Sequence, residues 1–313
     1  MCTAITLQAQ SKELFFVRNM DFSYDITPQL YIVPSSYVWY GNLNNNQFRD
    51  SYRFIGLGQE LEGILGFFDG VNEKGFAAAA LYFADYAQYD TETTHKAAEP
   101  VASIDFLHYI LGRCASVKEL PALLKDITII GIPDPVTNTI APLHWIAADR
   151  SGACAAIEPT ERGLELINNP IGIMSNSPDF QWHMTNLRNY IGASPMQTEE
   201  VFWDNIRLTP FGQAGGTLPL PGGFTSPERF VRTAYLKAHL PEPKDSSEAI
   251  AACFHIMENV SIPKGAVITK RNTYDYTRYT AIINTSTCEY FYKIYDDIHV
   301  KTTGLWQTKT AIQ

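Results

Sequence analysis

The chain has no long hydrophobic run. The longest, around Gly75 to Ala84, falls well short of the ~20 apolar residues that a membrane-spanning helix needs, so it reads as a buried strand. The first residues show no basic region followed by an apolar core, hence no secretory signal. A lipid on Cys2 would need such a signal upstream. Basic residues are scattered and outnumbered, 24 Lys and Arg against 33 Asp and Glu, for a net charge of −9. That excludes the basic patch a nucleic acid or an anionic membrane would require. Cysteine is scarce as well. Cys2, Cys114, Cys154, Cys253 and Cys288 are odd in number, and no two have C-x-x-C spacing. Neither a disulfide framework nor a zinc site is expected, and a reducing cytoplasm fits. H-E-x-x-H, Walker and G-x-S-x-G patterns are all missing, so we expect no metal and no cofactor.

What is present begins at the second residue. The chain opens Met1-Cys2-Thr3-Ala4-Ile5-Thr6-Leu7. If Met1 is removed, Cys2 carries a free α-amine and a thiol, with reference pKa values of about 7.7–8.0 and about 8.5. One residue then holds a nucleophile and the base that activates it. A Cys near a terminus is more often a small apolar residue packed in a strand, so position alone does not decide. The stretch Phe15-Phe16-Val17-Arg18-Asn19-Met20-Asp21-Phe22 changes the balance. Two apolar segments, 2–7 and 14–17, flank a polar turn, which is a hairpin pattern. The second strand returns toward Cys2 and brings Arg18 and Asp21 with it. A cation beside a thiol favours thiolate, and a carboxylate beside an amine can orient it.

Further along, residues 2–85 read mainly as strands, including 30–34, 52–56, 64–68 and 76–83, with a loop at 41–47. Residues 85–100 read as a surface loop. Apolar spacing predicts a helix over 103–111. Ser116-Val117-Lys118-Glu119 is a capping-box pattern that opens another, to about Lys125. A loop at 131–141 precedes a hairpin over 143–148 and 153–157, then strands at 163–167 and 172–174. Asp179 caps a helix running to about Ile191. Residues 192–225, rich in Gly and Pro, form an excursion long enough to imply a role. Ser226-Pro227 reads as an N-cap with Pro at the first helical position, for a helix ending near Leu240. A helix over 247–260 and strands at 279–284 and 289–295 follow. No repeat or linker divides 1–313, which predicts a single catalytic domain. This alternation suits an α+β, four-layer αββα sandwich with two antiparallel sheets face to face.

Met-Cys-Thr followed by Arg18-x-x-Asp21 resembles the choloylglycine hydrolase family, a group of N-terminal nucleophile hydrolases containing penicillin V acylases and bile salt hydrolases. The likeness continues through Asp69-Gly70-Val71-Asn72-Glu73-Lys74-Gly75 and Ala80-Leu81-Tyr82-Phe83. It runs on through Ser175-Asn176-Ser177-Pro178 to His183, then Thr209 to Gln213 and Leu220 to Phe230, and ends near Asn259 to Gly265. It covers about residues 2 to 295, with the motifs in family order.

The resemblance implies hydrolysis of a linear, non-peptide amide through an acyl-thioester on Cys2, with Arg18, Asp21, Tyr82, Asn176 and Arg229 completing the catalytic set. Asn176 and the Tyr82 backbone N–H would hold the oxyanion. Asp69 and Asn72 would fix the loop and strand behind the site. Arg229 near a helix start is mildly unfavourable for the helix dipole, which itself hints at a local task; Arg232, one turn on, is the alternative. Tyr82, where many bile salt hydrolases carry Asn, favours a penicillin V acylase. Met20, Phe67, Phe68 and Tyr82 could line a pocket for a phenoxyacetyl group; by strand alternation one of Phe67 and Phe68 must point inward, which plain core packing would also explain. Conjugated bile salts and other N-acyl amides, such as acyl-homoserine lactones, are the alternative substrates. In the family the 192–225 excursion binds neighbouring subunits, so a homotetramer is expected. A non-catalytic binding protein on the same fold ranks low because Cys2, Arg18, Asp21 and Asn176 are all present. A papain-type enzyme would need a His base. His183 reads as structural, His144 as a strand residue, and His95 and His299 as exposed.

Overall fold

A computed structural model describes residues 1–91 and 99–307. Two antiparallel sheets form the centre. The first runs in the order Ile173–Met174, Cys2–Gln8, Leu14–Phe22, Tyr276–Asn284, Glu289–Ile294, Asp297–Gly304. The second runs Gly163–Asn168, Cys154–Thr160, Leu143–Ala148, Ala77–Tyr82, Ile64–Asn72, Phe54–Leu61, Gln29–Val33. The expected hairpin exists: Cys2 pairs with Met20, and Ala4 with Arg18.

Side-chain alternation builds the layers. Ala77, Ala79 and Leu81 join the core between the sheets, while Ala78 faces the opposite side. Ile146 and Ala148 divide from Trp145 and Ala147 in the same way. The run of small residues lets the sheets approach closely and still fill space. Helices α1 (Phe106–Leu111) and α2 (Leu120–Lys125) cover the second sheet. Helix α3 (Phe180–Asn186) follows, and α4 (Ser226–His239) and α5 (Ser246–Glu258) cover the first sheet. The result is the four-layer αββα arrangement.

Several boundaries differ from expectation. Ser116 makes no side-chain cap; a 3-10 turn, Val117–Glu119, precedes α2, and the Glu119 carboxylate instead accepts the Ala115 N–H at 2.8 Å. The cap of α4 is Thr225 rather than Ser226, so Pro227 is its second residue. Glu228 folds back to accept the Thr225 N–H at 3.3 Å and hydroxyl at 2.6 Å, which favours the earlier start. Asp179 caps α3 as expected, accepting the Trp182 N–H at 2.8 Å, but the α-helix gives way to a 3-10 turn at Leu187–Tyr190. Of the loop expected over 85–100, residues 92–98, including His95, lie outside the described residues. Its end, Glu99–Ala102, is a strand parallel to Ile127–Ile130. Tyr89 is half-buried: its hydroxyl donates to the Ala141 carbonyl at 2.8 Å and accepts the Leu143 N–H at 2.7 Å. The excursion carries an exposed hairpin, Val201–Trp203 with Ile206–Leu208.

Candidate active site

The first hairpin places Cys2, Arg18, Met20 and Asp21 together because the Cys2–Met20 pairing sets their register. Cys2 is buried at the end of its strand. Its thiol accepts from Arg18 Nη2 at 2.9 Å, and the same nitrogen touches Met20 Sδ at 2.9 Å. Arg18 is fully buried, with Asp69 Oδ2 at 3.5 Å as its counter-ion. Asp69 in turn accepts the Tyr279 hydroxyl at 2.5 Å and the Tyr290 hydroxyl at 3.0 Å. Burial pushes the Asp69 carboxyl up, and Arg18 with the two tyrosines opposes the shift.

The second sheet supplies the remaining contact to Arg18. Opposite Leu57 and Gly58 the strand Ile64–Asn72 carries one extra residue, Phe68. This bulge leaves the Phe68 carbonyl outside the regular ladder, and Arg18 Nη1 donates to it at 2.8 Å. The bulge breaks alternation between Phe68 and Asp69, which both face the space between the sheets, while Phe67 packs on Phe54 in the helix-side core; residues 67 and 68 both border the cavity beside Cys2. Met20 and Tyr82 line it as well. The sequence reading missed Phe22, Ile64, Ile104 and Val136. Phe22 was within reach, being two residues past Met20 on one strand face; Val136 sits in a stretch readable only as a loop.

Arg229 and Asn176 arrive from α4 and from the segment before α3. Arg229 is fully buried. Its Nη1 donates to the Cys2 carbonyl at 2.6 Å and to Thr3 Oγ1 at 2.5 Å, and its Nη2 to Asn176 Oδ1 at 2.6 Å. Guanidinium nitrogens only donate, so this contact fixes which end of the Asn176 amide is oxygen. That oxygen also accepts the Cys2 N–H at 2.6 Å, and Asn176 Nδ2 donates to the Tyr82 carbonyl at 2.7 Å. One N–H of the amide remains for another acceptor. Phe83 N–H bonds the Pro142 carbonyl, so Tyr82, opposite Leu143, sits in a non-hydrogen-bonded pair and turns its own N–H and C=O away from that strand, to the side where Asn176 lies. Arg232 instead binds the carbonyls of Pro221 at 3.1 Å, Gly223 at 2.5 Å and Asn259 at 3.3 Å. Asn72 ties its own turn to the Leu111 and Cys114 carbonyls.

Asp21 is buried, and burial pushes its carboxyl up against the pull of Arg229. Oδ1 accepts the Thr277 hydroxyl at 2.5 Å. Oδ2 has Arg229 Nη1 at 3.7 Å and no hydrogen-bond partner among the described residues. The ammonium in this chain belongs to Met1; it donates to the Asp21 carbonyl at 2.6 Å and pairs with Asp275 at 3.4 Å. His183 is bonded to the Asn176 carbonyl, and no histidine is bonded to Cys2 among the described residues. His144 is buried and His299 exposed.

The family of linear amide C–N hydrolases called the choloylglycine hydrolase family matches residues 2–310. The chain belongs to this family. A bile salt hydrolase/transferase of Clostridium perfringens is 34% identical over 301 residues, covering 95% of this chain and 90% of that protein. A penicillin V acylase of Pectobacterium atrosepticum is 26% identical over 298 residues, covering 88% and 73%. The C2A variant of a conjugated bile acid hydrolase from Clostridium perfringens superposes with a TM-score of 0.91 at 29% identity, covering 99% of this chain and 94% of that one. The chain is therefore a linear amide C–N hydrolase with the sandwich fold of N-terminal nucleophile hydrolases.

Proposed function

We propose that Cys2, freed of Met1, hydrolyses an N-acyl amide whose apolar acyl group lies in the cavity against Met20, Phe67, Phe68 and Tyr82. The observation that carries this is the Cys2 thiol at the cavity wall with Arg18 Nη2 at 2.9 Å. The Cys2 amine takes the thiol proton as sulfur attacks the carbonyl carbon. A C–S bond forms, the C–N bond breaks, and the same proton passes to the leaving amine. Water then cleaves the thioester. Removal of Met1 converts the Cys2 N–H, already on Asn176 Oδ1, into an amine that Asp21 Oδ2 can also receive. The spare Asn176 N–H and the Tyr82 N–H act on the developing oxyanion. Arg229 orients Asn176 and the Cys2 carbonyl.

For the acyl group we favour phenoxyacetyl, because Tyr82 presents an aromatic ring 6.1 Å from that of Phe22 at the cavity wall. Conjugated bile acids are the second reading, favoured by the names of the more similar relatives. The test is hydrolysis of penicillin V and glycocholate side by side by N-terminally sequenced enzyme. Faster phenoxyacetate release supports the first reading and faster glycine release the second; activity surviving Cys2→Ala overturns both. We also read residues 1–313 as one catalytic unit that assembles as a homotetramer through the excursion, where Phe202, Trp203, Ile206 and Phe211 are exposed. A monomeric mass by light scattering would refute that. The five free cysteines support a reducing, cytoplasmic setting, and oxidation of Cys2 in enzyme taken directly from cells would count against it.

A further inference from the structure

Asn176 sits in a short irregular segment, and an irregular backbone does not aim a side chain unless something holds it. Three contacts hold this one. The Ser175 and Ser226 hydroxyls are 2.7 Å apart, tying the segment to the start of α4. The Ser177 hydroxyl donates to the Ala84 carbonyl at 2.6 Å, tying it to the end of the strand that carries Tyr82. The third contact comes from α3. His183 Nε2 lies 2.8 Å from the Asn176 carbonyl, which can only accept, so Nε2 carries the proton.

The origin of α3 is itself fixed by a buried ionisable pair. Glu158, with no exposed surface, accepts the Phe180 N–H with its two oxygens at 3.1 and 3.2 Å. It also meets His144 Nδ1 at 3.2 Å. His144 is clamped in turn by Phe83, whose ring stacks at 4.1 Å and 12°. The second sheet thus sets where α3 begins, and α3 sets where His183 reaches.

The chemistry of His183 argues against a filler role. The ring is buried and stacks on Phe230 at 4.5 Å and 13°. Its Nδ1 is buried without a hydrogen-bond partner among the described residues. A phenyl ring would make the same stack without burying an unpaired ring nitrogen, so stacking alone would favour Phe. What Phe cannot do is donate to the Asn176 carbonyl. Burial lowers the His183 pKa to about 4, so the ring is neutral near pH 7 and has one N–H to give. The charged groups around it are Arg229 and Asp179, with His144 as the other titratable neighbour.

We propose that His183 is a positioning residue for the hydrolysis: its bond to the Asn176 carbonyl holds the peptide from which the Asn176 amide is aimed at the reacting carbonyl. The proposal rests on Asn176 as an oxyanion donor. His183 does not touch the thiol and acts through Asn176; the Ser226 hydroxyl, 3.4 Å from the same Nε2, belongs to the tie already described between Ser175 and α4.

The test is a double-mutant cycle on the processed enzyme, with kcat and KM measured for the better of penicillin V and glycocholate. His183→Phe keeps the stack and removes the donor; the expected result is at least a tenfold loss in kcat with KM within about threefold. His183→Gln, which can donate from a similar reach, recovers most of the loss. In an Asn176→Ala background His183→Phe costs nothing further. Multiplicative losses in that background would overturn the proposal, as would a wild-type kcat in His183→Phe. If His183→Phe does not fold, Glu158→Gln, which weakens the hold on Phe180, goes through the same cycle with the same two outcomes. A wild-type rate in Asn176→Ala would sink the oxyanion assignment first, and the positioning role with it.

Discussion

At the scale of single residues, the proposed mechanism turns on the Cys2 nitrogen. With Met1 attached it is a peptide N–H, donating to Asn176 Oδ1, and an amide nitrogen cannot take a proton near neutral pH. Everything else in the site is already assembled around it. We expect a chain that retains Met1, verified by intact mass, to fold and yet release no acid from its substrate, with activity rising in proportion to the processed fraction. Hydrolysis by the unprocessed chain would remove the amine from the mechanism. Arg18 shows the same dependence on neighbours: the cation is tolerable without water because Asp69, the Phe68 carbonyl and the Cys2 sulfur surround it.

Elements are set by local chemistry that the sequence displays well, and then trimmed by contacts it displays poorly. The turn Asn72-Glu73-Lys74-Gly75, between the strands expected at 64–68 and 76–83, is built from local chemistry. Asn72 Oδ1 accepts the Lys74 N–H at 3.0 Å and the Phe76 N–H at 3.2 Å, and Gly75 has φ +79°. A Cβ at Gly75 would also collide with the Thr285 carbonyl and the Arg150 side chain, which no motif reveals. Gly75→Ala should therefore destabilise the protein by more than about 1 kcal/mol, measured from the urea midpoint. An unchanged midpoint would mean that the turn can open. The capping of α4 at Thr225 rather than Ser226 is the converse case. Both residues are good caps, and the choice fell to Glu228, whose carboxylate also accepts the Gly223 N–H at 3.1 Å.

On the scale of the whole molecule, buried ionisable groups make stability depend on pH. His183 has its folded-state pKa lowered to about 4 from 6.5 by burial, and His144 is lowered for the same cause. The unfolded chain then binds more protons, so stability is full above pH 6.5 and is lost as pH falls from 6.5 toward 4. For His183 alone the loss is about 3 kcal/mol, at 1.36 kcal/mol per pH unit. Asp21 and Asp69 work the other way: their folded-state pKa values are raised, so their contribution falls as pH rises from 3.8. Unfolding free energies of wild type and His183→Phe, compared from pH 7 to 4, isolate the histidine. The variant should show the shallower decline, and parallel curves would refute the assignment.

By itself the sequence determined the strand periods, the first hairpin and the ordered motifs, because each depends on residues close together in the chain. It also carried Cys2, Arg18 and Asp21, which share that hairpin. Only the tertiary structure decided that Asn176 and Arg229, 174 and 227 residues from Cys2, meet at its backbone. The bulge at Phe68, which leaves its carbonyl for Arg18, and the bond from His183 to the Asn176 carbonyl belong there too. Such contacts form between elements whose relative placement follows from how two sheets and their helices pack, and no local periodicity encodes that distance.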